Sequence, residues 1–543
     1  MDADHDRKDG RPPGNGAVWS LVLPPVERLL CHADAPPALA IEAARRGVRV
    51  DVVTRCDLES WQQAAGGEPR LRCVWEPDPQ VEYDLALLWD PHDDHEVRAW
   101  LSALARLPLP PREVAVRCLR RRRWSGLTWS AVDWRLRRAG WRPGAAHLPL
   151  PEADRVRQLV GWDEYARTPL VRHRRSHRRW KAWLTRQPFW RWVLPARLRR
   201  ATLRGVDPSG SLLDHVLVDA GRTLGGAVEL ERLLVSPNGV AIGSVRQRTC
   251  ADDRNAILKV PYALVAEGRV ARNADALEWL AVRARELGPW AGTPPRLLAR
   301  GTTRGWTWTL EECARGSDAQ AWSDADAEGA MRQLVEFLGA LARLGEPARP
   351  LDGATLDRAC DAPARRVAAL LEPAPAGRLK SLAAQLHHQL AGVPVPRVVR
   401  HGDFKLENVL GVPSEPASLR ILDWELWSPQ GLPMLDLWHL LVSRRARAAG
   451  QALGTTIARW LLPGTLSAAE RSLVEHASAG LDRRYVSVSP LLYWLDRIGP
   501  VAARGSWPAR GWARANVLGV LDVAERFAAE IDVCLQEPRE VQR

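Results

Sequence analysis

Residues 398–412 read VVRHGDFKLENVLGV, and residues 419–427 read LRILDWELW. His401, Asp403, Lys405 and Asn408 fall inside one eight-residue window, and a second apolar run ends at Asp423. Strand-like runs that deliver polar groups onto short connections are the usual way a rigid scaffold presents a site.

The spacing carries chemistry. Phosphoryl transfer asks a protein to hold phosphates, fix metal ions and aim an acceptor hydroxyl. An Asp five residues before an Asn supplies two of these needs: Asp403 accepts or orients the hydroxyl proton, and Asn408 binds Mg2+. Asp423, after its apolar run, stands where a second metal ligand belongs. The pattern H-x-D-x-x-x-x-N alone arises by accident in roughly one chain in a hundred of this composition. Asp423 and Asp436, in context, narrow that coincidence much further.

HGDFKLENVL, ILDWE and the later GLPMLDLWHL resemble the aminoglycoside phosphotransferase and choline kinase family. The resemblance covers about 225–535 and is concentrated in 401–440. It implies an α+β, protein kinase-like bilobal domain over 206–540, with a small β-rich lobe at about 225–313 and a helical lobe at about 318–540, that uses ATP and Mg2+ to phosphorylate a hydroxyl of a small molecule such as a sugar, an amino alcohol or an aminoglycoside-like compound. His401 would stiffen the loop, Asp403 would be the catalytic aspartate, Asn408 and Asp423 would bind Mg2+, and Asp436 would brace the loop. Lys259, in the strand-like NAILKVPY, would steady the triphosphate. The chain has only five lysines among 77 basic residues, so a lysine rather than an arginine at this position is informative.

The same resemblance lays the phosphates under VSPNG, with Ser236 and Gly239 as contacts, and the adenine against the LEECARG connector near Glu311 and Cys313. It departs from the family at the small-lobe helix, where Asn273 takes the place of the acid that pairs with the lysine.

Upstream, residues 17–160 alternate strand-like and helical stretches, as in ERLLCHADAPPALAIEAARRGVRVDVVT, which argues for a doubly wound parallel sheet. The order resembles a Rossmann-type S-adenosylmethionine-dependent methyltransferase. CHADAPP, residues 31–37, replaces that family's glycine-rich turn, and the domain reads as degenerate.

Residues 161–205 read as a basic Trp-rich linker, with arginines around Trp180, Trp183, Trp190 and Trp192. A peripheral membrane contact through 172–204 is the second reading of that stretch.

Composition sets the remaining expectations. At 543 residues the chain needs more than one core. The net charge of +13 comes from arginine spread along the chain, without a nucleic-acid recognition module, so no nucleic-acid partner is expected. Eight scattered cysteines indicate neither a disulfide framework nor a zinc site, and residues 1–16 read as a disordered tail. A cytoplasmic location is expected, peripheral at the inner membrane face under the second reading of 172–204. Two alternatives stand beside the kinase: a pseudokinase joined to a pseudo-methyltransferase as a scaffold, and a membrane-associated kinase acting on a lipid-linked or surface glycan precursor.

Overall fold

The computed structural model describes residues 20–536 except 22, 34–37, 55–66, 90, 92–93, 120–128, 151–157, 162–195, 237, 249–252, 315, 320–321, 323, 413–414 and 504–510. The proposed N-terminal tail, most of CHADAPP and the four connector tryptophans lie outside the described residues. The chain divides into two compact units, one of residues 13–271 with 297–313, the other of 272–296 with 314–543 and 1–12.

The first unit is organised by one 13-stranded sheet. Strands β1 (Arg28–His32), β2 (Arg49–Val53), β3 (Leu71–Val74), β4 (Leu85–Trp89) and β5 (Glu113–Leu119) lie in the order β3-β2-β1-β4-β5, all parallel. Helices α1 (Ala38–Arg45), α2 (Asp94–Ala105) and α3 (Trp129–Arg138) alternate with them. β1 and β4 are buried almost throughout, as strands covered on both faces must be.

Past β5 the sheet continues through β6 (Trp141–Leu150), β7 (Gln158–Gly161) and β8 (Ala196–Leu203). β8 runs antiparallel to both β5 and β6 and lies between them. This differs from the expectation that 161–205 is all linker. Two arginines of that basic stretch lie on β8 and are paired: Arg200 meets Glu113 of β5 at 2.7 Å with both side chains buried, and Arg199 meets Asp133 of α3 at 2.7 Å.

β7 then joins β9 (Ala227–Val235), which pairs with β10 (Val240–Arg248), β11 (Asp253–Pro261), β13 (Trp306–Glu312) and β12 (Leu297–Thr303) in succession. The small β-rich lobe expected at 225–313 is thus an extension of the N-terminal sheet rather than a separate one. Pairing with β7 covers an edge that β9 would otherwise expose. Helix α4 (Leu212–Leu224) opens with a capping box between Ser211 and Asp214 and stops at left-handed Gly225. Its Leu212, Leu213 and Val216 join one core with Val50 and Leu87 of the parallel strands and Leu258 and Trp308 of the antiparallel ones.

Helix α5 (Glu267–Val282) leads into the second unit. That unit is mainly helical, with α6 (Asp324–Arg343), α7 (Ala362–Ala368), α8 (Pro373–Leu390), α9 (Leu435–Ala449), α10 (Ala468–Ser478), α11 (Arg483–Ala502) and α12 (Gly519–Gln536). Short strands surround the loop of interest: β14 (Ser317–Asp318) pairs with β17 (Val409–Val412) and β17 with β18 (Glu415–Ile421), while β15 (Glu346–Pro350) pairs with β16 (Pro394–Arg400) and β16 with β19 (Ser428–Gly431). Phe337, Phe404, Trp424 and Trp290 pack beneath the loop with ring separations of 5.9–6.3 Å. Among the described residues no helix is long and apolar enough to cross a membrane.

Candidate active site

In the second unit the chain leaves β16 at Arg400 and turns at Gly402, whose φ is +84°. A Cβ there would lie 2.2 Å from the carbonyl oxygen of Leu426, so both conformation and space demand glycine. Asp436, near the start of α9, accepts the N–H groups of His401 at 2.6 Å and Gly402 at 3.0 Å. One buried carboxylate therefore fixes two successive peptides of the loop.

His401 is fully buried. Its Nε2–H donates to the carbonyl of Leu422 at 2.8 Å, its Nδ1 accepts the N–H of Asp403 at 3.2 Å, and its ring lies 4.6 Å from that of Trp424. A carbonyl only accepts, so the Nε2–H tautomer is the one that satisfies both contacts. Burial pushes its pKa down and favours this neutral form. The imidazole thus ties Asp403 to the residue before Asp423.

Asp403 is the most heavily engaged carboxylate of the loop. Its Oδ1 meets Nε2 of His439 at 2.9 Å, and its Oδ2 meets Nζ of Lys405 at 2.6 Å and Nδ2 of Asn408 at 3.1 Å. Burial works against its charge, but the His439 hydrogen bond and the Lys405 ammonium outweigh burial and hold the carboxyl well below the usual range. Asn408 also donates to the carbonyl of Asp403 at 2.9 Å, which occupies its amide nitrogen and leaves its amide oxygen as the group able to meet a cation.

Asp423 has φ +63°, a left-handed conformation costly for a residue with a Cβ, and caps the short turn 424–426. The next peptide is anchored where Trp424 N–H donates to Oδ1 of Asn273 at 2.9 Å. Asn273 is buried and so braces the Asp423 segment.

In the first unit Lys259 pairs with Glu311 at 3.0 Å, both side chains largely buried. Lys259 lies opposite Thr309 in the β11–β13 register, so Glu311, two residues on, is its diagonal neighbour on the same face. A strand carboxylate therefore pairs with this lysine, a partner that the sequence reading did not name. The pairing also gives Glu311 a side-chain role where the sequence suggested only a backbone one. Cys313 follows β13 and is half-buried.

The Ser236–Gly239 turn closes its hydroxyl and amide groups internally, while the Ser236 carbonyl accepts Tyr262 O–H at 2.6 Å and the Gly239 carbonyl accepts Tyr262 N–H at 2.8 Å. Ser236 Oγ accepts Asn238 N–H at 3.2 Å, and Gly239 N–H donates to the carbonyl of Ser236 at 3.2 Å. Gly239, at φ +88°, also has Ala263 within 2.9 Å of where a Cβ would stand. Its glycine is explained by the hairpin itself.

Three residues escaped sequence reasoning. His439 follows Asp436 by one helical turn in DLWHL, an i, i+3 relation that places both on one face of α9, and this was a usable signal. Tyr493, 3.0 Å from Nδ1 of His439, and Lys405 as a partner of Asp403 complete the set. No motif marks Tyr493.

Among the described residues no group of three or more His, Cys, Asp or Glu side chains is placed to hold a metal. The oxygen donors of Asn408 and Asp423 fit Mg2+, which commonly takes one or two protein ligands and completes its shell with phosphates and water.

The second unit carries a charged aspartate with an adjacent amide oxygen, and the first unit carries a lysine–glutamate pair; each is a part that phosphotransferases use. Residues 237–471 match the model of the phosphotransferase enzyme family, which supports a small-molecule kinase over that region. No curated protein matches the chain. Solved structures with similarity include a thermostable mutant of aminoglycoside phosphotransferase APH(4)-Ia, at 14% identity over 58% of this chain and 100% of that one, TM-score 0.35. Others are APH(3'')-Id from Streptomyces rimosus with ADP and streptomycin, at 19% over 52% and 97%, TM-score 0.32, and a fructosamine-3-kinase homologue from Haemophilus somnus, at 11% over 57% and 96%, TM-score 0.36.

Proposed function

We propose that the protein is an ATP-dependent phosphotransferase that moves the γ-phosphoryl group to a hydroxyl of a small molecule. The observation that carries this reading is the Asp403 carboxylate, kept charged by His439, Lys405 and Asn408 on a loop that Asp436 locks in place. The acceptor oxygen forms a bond to the γ-phosphorus while the bond from that phosphorus to the β–γ bridging oxygen breaks. ADP leaves, and the hydroxyl proton passes toward Asp403. So acidic a carboxylate is a poor base, and its main work is to accept the hydroxyl hydrogen bond and aim the oxygen, which suits a loose transition state. Asn408 and Asp423 would hold Mg2+, which supplies charge neutralisation on the phosphates. Lys259, oriented by Glu311, is assigned to the phosphates as well.

The N-terminal region is proposed to be a Rossmann-type, methyltransferase-like scaffold. The strand order β3-β2-β1-β4-β5-β8-β6, with only β8 reversed among them, supports that reading.

Calorimetric titration of ATP with and without Mg2+ tests the kinase. Binding that needs Mg2+ and is lost in Asp423→Ala is the expected result. Absence of binding by a folded wild-type protein would overturn it in favour of a scaffold.

A further inference from the structure

The first unit also contains a cavity, separate from the residues above. It has a volume of about 660 Å³ and opens at the N-terminal ends of the parallel strands. Ligands of open α/β sheets ordinarily bind at the opposite, carboxyl ends. This cleft is therefore separate from the crevice a Rossmann-type cofactor occupies.

Five arginines line it: Arg28, Arg46, Arg49, Arg70 and Arg304. Arg28 and Arg49 begin β1 and β2 and face each other in register. Arg70 immediately precedes β3, and Arg304 sits in the β12–β13 turn with φ +52°. Against these five guanidiniums the lining offers two carboxylates, Glu27 and Glu42.

Two of the arginines are already committed. Arg46 bonds Glu42 at 3.1 Å, pairs with Glu267, and lies 3.6 Å over the ring of Trp306, with its side chain 5% exposed. Arg70 donates to the carbonyl of Gly47. Glu42 is likewise spent, on Arg46 and on the N–H of Leu264. Arg28, Arg49 and Arg304 keep guanidiniums that bond no other described residue. Like charges gathered on one concave wall concentrate a positive potential that an anion relieves. Leu85, Leu212 and the Trp306 ring give the same cleft an apolar part.

We propose that this cleft binds a small organic phosphate, its phosphoryl oxygens held by Arg28, Arg49 and Arg304 and its apolar body resting against Trp306 and Leu212. The guanidinium fork matches phosphate oxygens two at a time, which an ammonium cannot do. An inorganic ion would use the charge but not the apolar wall. A phosphate monoester uses both.

Titration of phenyl phosphate, and in parallel inorganic phosphate, into the full-length protein without Mg2+ tests this. Phenyl phosphate is expected to bind once per chain, more tightly than inorganic phosphate, and to weaken at least tenfold in an Arg28→Gln/Arg49→Gln double variant. Arg49 is exposed and Arg28 half-buried, so the fold should tolerate both changes; circular dichroism checks this. Should the double variant not fold, Arg304→Gln in its exposed turn reads the same loss. Lys259→Ala is the control for binding at the nucleotide phosphates, and it should leave phenyl phosphate affinity unchanged. Failure of the wild type to bind, undiminished binding in the arginine variants, or loss confined to Lys259→Ala would each overturn the assignment. None of these outcomes depends on kinase activity, so the proposal stands or falls apart from the one above.

Discussion

The loop at 401–408 and the turn at 236–239 are both short polar connections between strands, and the family resemblance gives phosphate chemistry to both. Their hydrogen bonds differ in direction. In the loop, groups from elsewhere in the unit fix the site: His439 from α9 bonds Asp403 and helps keep it charged, and Asp436 holds the preceding peptides at His401 and Gly402. In the turn, the Ser236 hydroxyl and the Gly239 N–H bond within the turn, and Tyr262 and Ala263 reach only the carbonyls of Ser236 and Gly239. A loop built for chemistry has its charged side chain held from outside so that it stays aimed, whereas this turn closes its hydroxyl on itself and is held from outside only by its carbonyls. The difference predicts which substitutions matter.

Asp403→Asn should give the largest effect. It retains the size of the side chain and removes the charge that His439 and Lys405 stabilise, so turnover should fall by about 10² to 10⁴. Steady-state kinetics with any accepted substrate would show it, and unchanged turnover would remove Asp403 from the mechanism. Lys259→Ala comes next, at about 10² in kcat/KM for nucleotide, since it deletes a preorganised cation. Glu311→Gln should cost less, because the lysine keeps its charge and loses only its ionised partner. An effect of Glu311→Gln as large as that of Lys259→Ala would instead give Glu311 a direct part in binding.

His439→Ala sharpens the comparison further. It removes one hydrogen bond to a charged acceptor, a loss equivalent to roughly tenfold or somewhat more in kcat, and His439→Gln should restore part of it. The pH dependence has a definite sign. Burial lowers the pKa of both His401 and His439, so the unfolded chain binds protons before the folded one does. Stability should therefore fall as pH drops below about 6.5, the ordinary histidine value. In His439→Gln the decline between pH 6.5 and 5 should be shallower. A purely packing role for His439 would move stability but leave kcat unchanged in His439→Ala, with nothing for Gln to restore.

What the sequence disclosed follows from distance along the chain. Asp403, Asn408, Asp423 and Asp436 are legible because the loop and its brace lie within 36 residues and keep fixed spacing. Glu311 was not read as the partner of Lys259, since only the register of β11 against β13 brings them together across 52 residues. β8 escaped for another reason. ARLRRATL looks like a solvated basic stretch until Glu113 and Asp133, from a distant strand and helix, neutralise two of its arginines. Burying a charge is costly unless it is paired, and no local pattern announces the pair. The joining of the small lobe to the N-terminal sheet was hidden with it, because β6, β7 and β8 together make that connection.

Ser236→Ala is the smallest expected effect and the sharpest test of the contrast. The hydroxyl oxygen accepts only the N–H of Asn238, on a turn where that N–H is exposed to water, so removing it should change stability by a few tenths of a kcal/mol at most. If the turn is purely connective, KM for nucleotide should move less than about twofold, the change expected for losing a solvent-exposed bond. A rise of tenfold in that KM, with kcat unchanged, would mean that the turn rearranges when nucleotide arrives and gives its hydroxyl to a phosphate. The difference drawn between loop and turn would then belong to the ligand-free protein alone, and the turn would rank with Lys259 among the groups that hold the nucleotide.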